Sequence, residues 1–154
     1  MLQHVKQNAS GLYLDIQKIG CFFRSALLLA EMKTGRSLDV PTINKLWRRA
    51  CQFKFIDKNL NVVNSARIAT LALRELGDDG FITEVATFVN GHIGWYRGVE
   101  HRAEYFIQKI EQNGPSKYHF RVVDNYGDLI EDPHEPAIKS QGVLYSIIYK
   151  YDEL

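Results

Sequence analysis

Residues 20–35 read GCFFRSALLLAEMKTG. Between the two glycines the apolar positions are 21, 22, 23, 26, 27, 28, 29, 30 and 32. They cover more than one face of a helix, which predicts a helix over 21–33 buried on several sides. Gly35 is a natural stop. A thiol, Cys21, opens this most hydrophobic helix of the chain. Either it fills core space, as isolated cysteines on apolar helices commonly do, or its sulfur faces a cleft and does chemistry. The second reading has a physical basis. Unpaired amides and the helix dipole favour an anion at a helix start, and Gly20 leaves backbone room for a substrate to approach.

Upstream, LYLDI (12–16) alternates apolar and polar and predicts a short strand or extended lead-in. Downstream, Asp39 and Pro41 mark a second helix start. Ile43, Leu46, Trp47, Ala50 and Cys51 then form a one-sided stripe, which assigns Cys51 to core packing. Asn64 or Ser65 caps a third helix, ARIATLALREL, closed by Gly77. The second half changes character. FITEVATFV (81–89), AEYFIQKIEQ (103–112), KYHFRVVD (117–124), LIEDP (129–133) and GVLYSIIYKY (142–151) read as about five strands, although the second also passes as a short helix. NGHIGWYRG (90–98) is loop-like, and its Trp95 and Tyr96 either line a groove or pack on their own domain. Three helices followed by strands predict one α+β domain over 1–154, with a Cys-bearing central helix packed on a mostly antiparallel sheet.

Composition narrows the function. The 154 residues carry a formal net charge of +1, with 45% hydrophobic and 24% charged residues. That gives a globular chain with no electrostatic case for nucleic acid. Lys45, Arg48, Arg49 and Lys54 read as a solvated helix face. No apolar run approaches the roughly 18 residues that span a bilayer, and the N-terminus lacks a secretory signal. Two cysteines without a CxxC pair suggest free thiols in a reducing, cytoplasmic setting. The closing YDEL, without an entry signal, is taken as chance. The oligomeric state is not readable.

An activated cysteine needs a base, and the base needs an orienting group. Among five histidines, His4 lies in a terminal stretch expected to be loose, His92 in the glycine-rich loop and His101 in a charged run. His119 opens the strand HFRVV. A hairpin through DNYGD would set strands 119–123 and 129–132 side by side and bring Asp132 to the same sheet end. A carboxylate there fixes the imidazole tautomer and supports its cation. Each residue keeps a plainer reading: His119 as a strand residue bonded to a carbonyl, Asp132 as a turn former before Pro133. Asp124 is an alternative orienter. His119, Asp132 and His134 lack a firm fourth metal ligand, so neither metal nor cofactor is expected.

A cysteine heading a long apolar helix, then a histidine opening a hydrophobic strand, then a turn and Asp132-Pro133, resembles the papain-like cysteine peptidase fold. The resemblance covers nearly the whole chain and is nearest the bacteriocin-leader (double-glycine) peptidases. The opening Q-x-x-G-C-x-F, residues 17–23, is also similar to that of small phage and spirochaete-plasmid proteins. The resemblance implies a thiol hydrolase, peptidase or amidase-like, acting on a peptide or isopeptide bond. Cys21 would be the nucleophile, His119 the base and Asp132 the orienter. It implies an oxyanion donor at Gln17, which sits nearer the cysteine than is usual and otherwise reads as a surface residue. Phe22 and Phe23 stand where the peptidases carry small residues, and are expected to narrow the cleft. The alternative is a non-catalytic binding or inhibitor protein of phage or plasmid origin on the same fold. The partner is accordingly a peptide or protein substrate, or a host protein target.

Overall fold

The computed structural model describes residues 3–89, 106–113, 117–124 and 126–154. Four helices precede five strands among them: α1 (Leu14–Ile19), α2 (Cys21–Thr34), α3 (Val40–Gln52), α4 (Ser65–Glu75), then β1 (Phe81–Val89), β2 (Phe106–Glu111), β3 (Tyr118–Val123), β4 (Leu129–Glu131) and β5 (Gly142–Asp152). The chain is α+β, as its segregated patterning predicts.

The extended lead-in expected at 12–16 is instead the approach to α1. Leu12 and Ile16 are buried four residues apart while Tyr13 and Leu14 face out. Leu12 and Tyr13 precede the helix, Tyr13 standing as its N-cap at φ −53°, ψ 145°, and the helix takes over from Leu14. Gly20 joins α1 to α2 at φ −83°, an ordinary value. Its role is space: a Cβ there would lie 2.4 Å from the Ile16 carbonyl oxygen and 2.7 Å from Ile16 Cα. The glycine permits the tight junction of the two helices.

In α2 every residue from Phe23 to Glu31 is buried. The helix packs against α1, α4 and β3, which is why its apolar stripe wraps around it. Gly35 caps it in the left-handed region at φ 69°. Two charges lie inside this helix. Arg24 Nη1 donates to Glu31 Oε2 at 2.7 Å, and both side chains are fully buried. Arg24 Nε also donates to the Val5 carbonyl, and the Leu38 amide to Glu31 Oε1, at 2.8 and 2.7 Å. Paired and hydrogen-bonded in this way, the two charges are tolerated in the core. They tie the N-terminal segment and the α2–α3 connection to the central helix. His4, expected to be loose, is held there, with Nδ1 3.3 Å from Glu31 Oε2.

The caps expected from sequence form: Asp39 accepts from the Thr42 amide, and Asn64 from the Arg67 amide. The sheet is antiparallel, in the order β1-β5-β2-β3-β4. Register explains its two apolar faces. Ile107 lies opposite Val122 and Ile147, while Phe106 lies opposite Val123 and Ile148. Consecutive strand residues point to opposite faces. The first trio therefore joins the main core with the helices, and the second forms a separate cluster with Val85, Ala86 and Phe88. No helix among the described residues is long and apolar enough to cross a membrane.

Candidate active site

The chain crosses from α1 to α2 at one end of the sheet, next to the turn end of the β2–β3 hairpin. Between them lies a cleft of about 670 Å³ lined by residues of both walls, among them Gln17, Lys18, Cys21, Lys109, His119 and His134. Cys21, the first residue of α2, is partly exposed there. His119, the second residue of β3, is almost fully buried.

His119 Nε2–H donates to Asp132 Oδ1 at 2.7 Å, with the two side chains only 4% and 2% exposed. Nε2 being used, Nδ1 is the ring nitrogen left to meet Cys21, which shares the cleft with His119 and lies near enough to act on its pKa. Burial, the largest single influence, pushes the His119 pKa down. The hydrogen bond to Asp132, the hydrogen bond to Cys21 and the charges of both outweigh it and lift the value to about 9. Asp132 moves the other way. Burial pushes its carboxyl up, but the His119 hydrogen bond and charge, with the amides of His134 and Ile138, hold it below the usual carboxylate range.

Those two amides donate to Oδ1 and Oδ2 at 2.8 and 2.9 Å. The 132–138 segment thus folds around the Asp132 carboxylate, so its turn-forming and histidine-facing readings hold at once. The N-terminal segment clamps the same loop. Gln7 N–H donates to the Pro133 carbonyl, Lys6 Nζ to the Asp132 carbonyl, and Asn8 exchanges hydrogen bonds with the Glu135 backbone.

The other candidates are placed as follows. Asp124 Oδ1 accepts from the Tyr126 and Asp128 amides at 2.8 and 3.0 Å, so it builds the turn and does not orient His119. His134 Nδ1 turns to the Pro136 carbonyl at 2.9 Å. Among the described residues no three His, Cys, Asp or Glu side chains are arranged to hold a metal. Cys51 packs partly buried against the main core, and burial, with the nearby Asp15 charge, pushes its thiol pKa up. His92, Trp95, Tyr96 and His101 lie outside the described residues.

Gln17 lines the cleft with Cys21. One of its amide protons is spent on the Leu12 carbonyl, 2.7 Å away, leaving one available. Gln7, which sequence reasoning passed over, lines the same cleft. It is 3% exposed and its Oε1 has no partner among the described residues. No motif marks it; only the buried amide in a polar cleft does.

The phenylalanines leave the cleft open. Phe23 is fully buried and meets Trp47 edge-on at 5.0 Å. Phe22 stacks on Phe120 with centroids 4.1 Å apart. Neither ring is among the residues lining the cleft, because successive helix positions diverge by about 100°. Phe22 instead pins the start of α2 to β3, the strand that carries His119.

Fold and site together define an α+β protein in which a thiol, an imidazole and a buried carboxylate stand in sequence at the wall of an open cleft. Residues 1–148 match the family described as "Protein of unknown function, DUF261", and the chain belongs to that family. No curated protein and no solved structure matches it.

Proposed function

We propose that this protein is a thiol hydrolase of papain-like organisation, acting on a peptide or isopeptide bond. The observation that carries the reading is the contiguous set Cys21, His119 and Asp132, its sulfur end facing the cleft and its carboxylate end buried. The raised His119 pKa keeps the imidazole protonated at neutral pH, and a histidinium favours an adjacent thiolate.

In the first half-reaction the Cys21 sulfur bonds to the acyl carbon, and the carbonyl π pair moves onto oxygen. The Cys21 backbone N–H and the remaining Gln17 amide proton are the donors proposed to stabilise that developing charge. The intermediate collapses, the C–N bond breaks, and the amine leaves with a proton from His119. Water, deprotonated by His119, then attacks the thioester carbonyl; the C–S bond breaks, the acid leaves, and the sulfur departs as thiolate beside the reprotonated His119, which restores the starting pair. Asp132 holds the ring and supports its cation throughout.

The test is iodoacetamide labelling followed by peptide mapping. Cys21 should react much faster than Cys51 at pH 6, and C21S should abolish hydrolysis while retaining the fold. Equal, slow labelling of both cysteines removes the hydrolase reading. A binding protein without chemistry is the competing reading, favoured by the Gln17 amide proton already committed to Leu12. Full biological effect in C21S would select it.

A further inference from the structure

The cleft has a charge pattern that the thiol chemistry does not require. Three lysines line it: Lys18 on α1 at one wall, Lys109 on β2 and Lys117 just before β3 at the other. No aspartate or glutamate lines it among the described residues; besides Cys21 and Tyr118, the other polar side chains are amides and imidazoles, including Asn61, Gln112 and Asn113. Three lysines outside the cleft have carboxylate partners: Lys6 with Glu131, Lys45 with Glu75 and Lys150 with Asp152. Lys18, Lys109 and Lys117 have no such partner among the described residues. Lys109 is also held in place. Cross-strand register sets it beside Phe120 and Tyr145, and its ammonium lies 4.4, 5.3 and 5.5 Å from the rings of Tyr118, Tyr145 and Phe120. Such a cage fixes a cation without neutralising it.

Unpaired charges of one sign converging from both walls of a cleft focus the field there and raise the local concentration of ligands of opposite sign. We infer that the cleft selects acidic peptides, with carboxylate side chains flanking the bond presented to Cys21. This rests on the hydrolase reading and adds its substrate class. Carboxylates on such a peptide meet ammonium groups on either side of the sulfur, whereas a basic peptide meets repulsion at both walls, so discrimination comes from rejection as well as attraction. The lysine contacts are solvent-facing, so each is worth about a two- to fivefold change in rate at low salt.

The experiment compares three peptidyl vinyl sulfones on the full chain, identical except for two glutamates, two glutamines or two lysines beside the electrophile, with iodoacetamide run in parallel. The inactivation rate constant should fall in the order glutamate, glutamine, lysine, spanning roughly ten- to a hundredfold at low salt and narrowing at high salt. K18Q/K117Q, both exposed positions, should shrink that span several-fold, and adding K109Q should shrink it further. K45Q, outside the cleft, should retain it. Selective Cys21 labelling by iodoacetamide with no glutamate preference, or a preference untouched by K18Q/K117Q, overturns the substrate class and leaves the hydrolase reading intact. Unselective iodoacetamide labelling removes the hydrolase reading, and the substrate class with it.

Discussion

Replacing Asp132 by Asn is expected to bring the His119 pKa down from about 9 to near or below the 6.5 of a free imidazole. Two opposed influences set the magnitude. Burial alone disfavours the imidazolium, and what reverses it is Cys21 together with a carboxylate 2.7 Å from Nε2, whose hydrogen bond is the largest of the raising influences. Asn keeps one acceptor oxygen but removes the charge, and it presents an amide N–H to the Ile138 N–H where a carboxylate oxygen stood. Cys21 then remains as the only partner raising the value. A change of this size corresponds to an interaction on the order of 3 kcal/mol. The linkage has a definite sign. A folded-state pKa raised above the unfolded 6.5 contributes stability fully present below about pH 6.5 and lost as pH rises through about 9. D132N should therefore cost most at pH 6 and progressively less toward pH 10. The assay is a carbon-edited histidine NMR titration from pH 5 to 10, with urea unfolding at both limits. A wild-type His119 that titrates at 6.5 or lower refutes the reasoning, as does a D132N value equal to the wild-type one.

Further outcomes test the fold around the site. G20A should cost about 1–3 kcal/mol, because its methyl meets the Ile16 backbone and not a movable side chain; an unmoved urea midpoint would show that the helix junction yields freely. E31A should cost about 3–5 kcal/mol by leaving Arg24 charged and uncompensated in the core. In the wild type, Glu31 is pushed up by burial but held below its ordinary pKa by His4, Arg24 and the Leu38 amide. Its contribution is present above about pH 4.5 and lost as pH falls through the folded-state value, so acid unfolding that matches between E31A and the wild type would contradict this assignment. F22A removes the stack on Phe120, worth about 0.5–1.5 kcal/mol beyond burial. It should loosen the Cys21–His119 spacing, read as slower iodoacetamide labelling of Cys21 at pH 6; labelling at the wild-type rate would deny Phe22 that role.

Local patterns carried the architecture. The wrap-around apolar set of α2, the stripe of α3 and the capping residues Asp39 and Asn64 each encode their element within a few residues, and the strand boundaries follow from β-branched runs cut by glycine and proline. LYLDI failed because its five residues straddle an element boundary: Leu12 and Tyr13 lead in, and the helix starts at Leu14, too late for a helical period to show within the stretch. The juxtaposition of His119 and Asp132 was legible because a hairpin joins them. The role of Gly20 was not, since the atom it would strike belongs to the preceding helix turn. Gln7 and the lysine set were also hidden. Residues 7 and 18 share no spacing with each other or with the hairpin residues 109 and 117, and they reach that hairpin only through the tertiary fold. The direction of Phe22 depended on the placement of Phe120, ninety-eight positions away.

The clamp at residues 6–8 bears on how the site keeps its geometry. An orienting carboxylate works only if it stays put, and Asp132 lies in a loop after a three-residue strand at the sheet edge, where sheet hydrogen bonding ends. Left to that strand, the loop would be among the least stable parts of the molecule. Its position is fixed from two directions instead. From within, both carboxylate oxygens take amides of the loop itself; from outside, Lys6, Gln7 and Asn8 bond its backbone. Those three residues are in turn anchored through Val5, whose carbonyl accepts from the buried Arg24 of α2. The same helix begins with Cys21. Cys21 and Asp132, the proposed nucleophile and orienter, are therefore referenced to one rigid element, α2, by two routes: directly through its first residue, and through Arg24, the N-terminal segment and the Asp132 loop. Disturbing the buried Arg24–Glu31 pair should consequently reach His119 without touching it, by loosening the loop that holds its partner.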